Sequence, residues 1–84
     1  MGPWKRLPKG PFFRSARLDC ALSLLSGALV RETEGERLLA LPYDEDAPFP
    51  LPELFCLARV EEVAHRRCVV YRLDGRNRPI FWEK

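Results

Sequence analysis

Proline placement limits this chain more than any other feature. Pro3, Pro8 and Pro11 stand with Gly2 and Gly10 in "MGPWKRLPKGPFFR". Proline lacks an N–H and disfavours helix in the residue before it, so this arm is expected to be extended or polyproline-like. Pro48, Pro50 and Pro52 alternate through "DEDAPFPLPE". Neither a helix nor a central strand tolerates that spacing, so a loop is predicted there. Regular structure must come from the stretches between and after these two clusters.

The first stretch is "SARLDCALSLLSG", Ser15 to Gly27. Ser15 can cap a helix, because its hydroxyl accepts an orphan N–H. Leu18, Leu22, Leu25 and Leu29 fall at i, i+4, i+7 and i+11, one helical stripe thickened by Ala21 and Ala28. Asp19, Ser23 and Ser26 share the opposite face, and Gly27 suits the left-handed position that stops a helix. Leu18, Cys20, Leu22 and Leu24 also alternate as a strand would. The agreement of start, stripe and stop favours the helix.

After Gly27 the period shortens. "ALVRETEGERLLALPY" reads as a β-hairpin with its tip at Glu34–Gly35. A two-residue turn sets Glu32 opposite Arg37 and Val30 opposite Leu39; a four-residue turn over Thr33–Glu36 is the alternative. "LFCLARVEEV" carries both a strand alternation and a helical spacing, and is taken as strand. "RCVVYRL" is rich in β-branched and aromatic residues, "DGRN" turns it, and "RPIFWE" is the last strand. Leu18, Leu22, Leu25, Val69, Tyr71 and Phe81 are the expected core.

Assembled, the chain is an α+β fold. One N-terminal helix is followed by about five short antiparallel strands in a small meander or half-open barrel. Strand count and loops are in the style of SH3-like or Sm-like folds, an analogy of architecture alone. Residues 1–14 form a basic, aromatic, proline-rich arm, and residues 15–84 a single domain. At 84 residues the core is thin.

Charge is unevenly laid out along the chain. Residues 1–18 carry five cations and no anion, residues 19–62 net −7, and residues 63–84 net +4, within a total of +2. Positive ends around an acidic middle suit an anionic partner, or a match between arm and middle. No run approaches a membrane span, and Arg14 and Arg17 closely follow Phe12 and Phe13, so neither a membrane segment nor a signal peptide is expected. Cys20, Cys56 and Cys68 are odd in number and widely spaced, which suits three buried reduced thiols in a cytoplasmic protein. Cys56, His65 and Cys68 lack a fourth zinc ligand. Asp44, Glu45 and Asp46 lack the spacing of a calcium loop. No cofactor is expected. Abundant Arg and scarce amides are consistent with a thermophile.

The function expected from these residues is a small non-enzymatic interaction module. Its arm, with Trp4, Lys5, Arg6, Lys9, Phe12, Phe13 and Arg14, and the further residues Arg66, Arg67 and Trp82, would contact nucleic acid or a nucleoprotein machine: cations on phosphate, rings on bases. Tyr71, Phe81 and Trp82 could form a stacking platform on the sheet. Alternatively, the arm tethers an accessory subunit to a larger protein assembly or homo-oligomer. A third reading is a small ribonuclease, with His65 as base and Arg66, Arg67 and Tyr71 around the phosphate.

Overall fold

The computed structural model describes residues 3–7, 11–13, 15–46, 51 and 58–82. In chain order the elements are β1 (Lys5–Arg6), α1 (Ala16–Ser23), β2 (Leu29–Thr33), β3 (Glu36–Pro42), β4 (Ala58–Val63), β5 (Arg66–Leu73) and β6 (Pro79–Ile80). All strands are antiparallel neighbours in one open sheet of order β1-β2-β3-β5-β4, with β6 paired to β5. The helix is not the first element, because two arm residues pair with the edge of β2 before it. Among the described residues there are six strands rather than five, and the sheet does not close into a barrel.

Local rules account for most of these elements. Ser15 is extended at the N-cap of α1, and its Oγ accepts from the Leu18 N–H at 3.5 Å. Eight residues cannot hold a helix alone, so packing does: Leu22 is buried and Leu18, Ala21 and Leu25 rest on the sheet core. The helix ends earlier than its stripe. Leu24 and Leu25 donate to carbonyls three residues back, at Ala21 and Leu22, which tightens and closes the last turn. Gly27 has φ +82° as its sequence suggests, but lies beyond that end, and Leu29 already belongs to β2. The β2–β3 hairpin has its tip at Glu34–Gly35, with Glu32 opposite Arg37 and Val30 opposite Leu39.

The expected C-terminal meander is corrected. Leu73 pairs with Arg37 of β3 on one side and Pro79 of β6 on the other, and further along β5 the β6 side is taken by β4. β4 and β6 therefore share one edge of β5, while β3 holds the other. Cys68, Val69, Val70 and Tyr71 of β5 are all buried, with one core covering each face. The strand expected over "LFCLARVEEV" is present at Ala58–Val63; residues 54–57 lie outside the described residues, as do Pro48, Pro50 and Pro52.

The sheet separates two cores. On the helix face Phe12, Phe13, Leu22, Val30, Leu39, Leu41, Leu51, Val69, Tyr71 and Leu73 are buried together. The arm contributes to this core: the Phe12 and Phe13 rings meet edge to face and close it. Their N–H groups donate to one oxygen of Asp19, at 2.9 and 2.8 Å. The Asn77 side chain donates to the Phe12 carbonyl and accepts from Arg37, tying the β5–β6 turn to the arm. On the reverse face a smaller core of Ala40, Val63, Cys68 and Val70 is flanked by Trp4, Leu29, Leu38 and Trp82. Phe81, expected in the core, is 71% exposed. Strand alternation puts Trp82, not Phe81, on the reverse face with Ile80, and the Trp82 indole N–H donates to the Val70 carbonyl at 3.3 Å.

Candidate functional site

The reverse face is built by register. Arg6, Leu29, Ala40, Val70 and Arg59 form one row across five strands. Arg31, Leu38, Arg72 and Ile80 form the next row, and Trp4 stands just before β1 at its open end. Cys68 and Glu61 sit beyond the first row, followed by Arg66 and Val63. Among the strand-paired residues this face presents five arginines (6, 31, 59, 66 and 72) against Glu36 and Glu61, a net +3. The helix face of the same strands carries Lys5, Arg37 and Arg67 against Glu32 and Glu62, a net +1.

Each tryptophan on this face is half-buried and has an arginine over its ring. The Arg31 guanidinium carbon lies 5.9 Å from the Trp4 ring centroid, and that of Arg59 lies 5.2 Å from Trp82. Arg59 is also 3.2 Å from Glu61. Arg72 grips Glu36 with two nitrogens, Nε and Nη2, and donates through Nη1 to the Phe81 carbonyl. The Arg72 hydrogen bonds hold the Glu36 carboxyl below the usual carboxylate range. Burial pushes the Cys68 thiol up, so it stays protonated beneath this face.

The residues singled out in the sequence are thus divided. Trp4, Arg6, Arg66 and Trp82 share the reverse face. Lys5 is exposed at the same edge but belongs to the helix face, opposite Val30. Phe12 and Phe13 are buried and present no ring to a ligand. Arg67 is exposed on the helix face, its guanidinium 5.6 Å from the Tyr43 ring. Lys9 and Arg14 lie outside the described residues. The platform of Tyr71, Phe81 and Trp82 does not form, because Tyr71 is completely buried and its hydroxyl donates to the Leu51 carbonyl at 3.4 Å. Burial pushes that phenol up to about 12.

The hydrolytic constellation is likewise dispersed. His65 is exposed in the β4–β5 turn, Arg66 and Arg67 point to opposite faces, and Tyr71 is in the core. Cys68 is buried, Cys20 is exposed on the helix rather than buried as expected, and Cys56 lies outside the described residues. Among the described residues no three His, Cys, Asp or Glu side chains gather to hold a metal, and no helix is long and apolar enough to cross a membrane.

Sequence reading did not single out Arg31, Arg59 and Arg72 for this face. Their alternation with Leu29, Glu61 and Val70 is visible locally, but only the distant β3–β5 pairing puts the three on one surface. No family model, no curated protein and no solved structure matches the chain.

Proposed function

We propose that the chain is a small, non-enzymatic module that binds nucleic acid on the reverse face of its sheet. The observation that carries this reading is the meeting of five arginines with both tryptophans on one surface, away from the helix. Arg6, Arg31, Arg59 and Arg66 offer charge and planar donors to phosphate, Arg72 being held by Glu36 and the Phe81 carbonyl, and the indoles offer rings. An exposed arginine–indole stack contributes about 0.5–1 kcal/mol. A base on the same ring contributes about 1–3 kcal/mol, so a base can take the place of Arg31 or Arg59 and send the cation to phosphate. A polymer that offers both groups gains twice from the same side chains.

The test is a salt titration of binding to mixed cellular nucleic acid. Three or four phosphate contacts imply a slope of log affinity against log salt of about −2 to −4. Joint replacement of Arg6 and Arg66 by Ala is expected to shorten that slope by about 1.5–2. Arg67→Ala, on the helix face, is expected to leave it unchanged. Absence of binding at low salt overturns the proposal.

A second reading, an accessory subunit of a protein assembly, is favoured by one observation. Leu24 and Phe81 are 81% and 71% exposed, at the helix end and beyond β6. Of the two, Phe81 is of a type enriched in the cores of protein interfaces. Failure of nucleic-acid binding, with a co-purifying protein lost on Phe81→Ser, would support this reading instead.

A further inference from the structure

Resting on the nucleic-acid reading of the reverse face, we infer that its ligand is an unpaired RNA strand whose bases stack on Trp4 and Trp82. In a duplex the bases already stack on one another, and only unpaired bases can be splayed onto aromatic rings. Here the rings are the flanks of the site rather than its surroundings. Trp4 stands at the β1 edge and Trp82 follows β6, so the backbones that carry them are four strand spacings apart, about 19 Å. Between them lie Leu38, Ala40, Val70 and Arg72, with Ala40 and Val70 buried beneath their larger neighbours and Arg72 held on Glu36. A strand crossing this sheet meets a ring at each side, with arginines from both rows beneath its phosphates.

Trp82 is prepared for stacking rather than for reading. Its N–H is engaged by the Val70 carbonyl, which fixes the ring, and a base reaches its face by taking the place of Arg59. Every base has a π-face, so the surface tolerates most sequences. One carboxylate gives the sugar preference. Arg72 takes both oxygens of Glu36, whereas Glu61, which can only accept hydrogen bonds, sits beside Arg59 on the same face. Arg59 engages one oxygen of Glu61, which leaves the other to accept. The RNA 2′-hydroxyl is a donor at that position, and the DNA sugar has none.

The chain contains two tryptophans, and both are on this face, so its own fluorescence reports the event. The experiment titrates the full chain at low salt with a mixed-sequence RNA of about twelve nucleotides. The DNA of the same sequence and the annealed RNA duplex are run beside it. Tryptophan emission and the anisotropy of an end label are followed together. Expected are quenching by the single-stranded RNA, weaker binding of the DNA, and duplex binding at least tenfold weaker still. Trp4→Leu is expected to weaken RNA binding about 5- to 150-fold, the range for loss of one stacked base. Trp82→Leu should do the same. Because Trp82 also packs on the small core, Trp82→Phe keeps a ring there and should retain most of the affinity.

Equal binding of duplex without quenching overturns this inference but leaves the electrostatic reading standing. Equal affinity for DNA overturns the assignment to RNA. An unaffected Trp4→Leu overturns the stacking. No binding by any of the three overturns the nucleic-acid reading itself.

Discussion

At the scale of single residues, Asp19 does more than its place on a helix suggests. One of its oxygens accepts both the Phe12 and Phe13 N–H groups, so it holds the arm that closes the core. Asp19→Ala is expected to cost about 1–3 kcal/mol through unpaired N–H groups, and to make the arm protease-sensitive. Urea unfolding and limited proteolysis check this together. Tyr71 sets a limit at high pH. Its folded pKa is raised by burial from 10.0 to about 12, so the unfolded chain releases the proton first. Stability is therefore intact below pH 10 and lost as pH rises towards 12. The loss approaches about 2–3 kcal/mol, and Tyr71→Phe should abolish this pH dependence of the melting temperature. At the acid end the sign reverses. Arg72 lowers the Glu36 pKa, and the backbone N–H groups of Arg78 and Arg76 lower that of Asp74. The stability they contribute is present above the ordinary carboxylate range and falls as pH drops through their folded values. Urea midpoints measured between neutral and acid pH should fall less steeply in Glu36→Gln.

At the scale of elements, the β4–β5 turn is the least favourable piece of backbone described. Ala64 and His65 both have positive φ, 53° and 65°, in a two-residue turn that favours Asn-Gly. A left-handed non-glycine residue costs about 1–2 kcal/mol, so changing both to Asn-Gly should stabilise the domain by about 1–2 kcal/mol or more. A lower thermal midpoint would contradict this account of the turn. The helix is the opposite case, strained nowhere and dependent on its packing. Leu22→Ala should cost about 2–4 kcal/mol, most of the stability of so small a domain. These two elements also show what was legible in the sequence. Ser15, the leucines at 18 and 22 and the Glu34–Gly35 tip are local signals, and each is where the sequence implied; Leu29 is instead in β2. The early end of α1 was hidden, because a stripe of leucines says where a face is and not how long the backbone stays helical. Trp82 and Phe81 were separable by alternation only in part. Which of the two faces the core depends on a carbonyl from β5 that no local pattern names.

At the scale of the whole molecule, folding bridges the segregation of charge along the chain. Glu36 from the acidic middle meets Arg72 from the basic end, so the sheet mixes what the sequence separates. The larger positive balance lies on the reverse face, where β3–β5 pairing gathers it. That pairing could not be read in advance, because it joins stretches separated by the proline-rich loop. The same feature has a consequence during synthesis. The centre of the sheet needs β5, and the arm's last tie is a bond from Asn77 back to Phe12, 65 residues earlier. On a ribosome adding about 5–20 residues each second, everything up to Val63 is made before the strand that covers its apolar surface exists. The nascent hairpin and helix must wait for it with their leucines uncovered. A ribosome-arrested chain ending at Val63 is therefore expected to be digested at once by protease. One whose first 82 residues have cleared the exit tunnel should resist it.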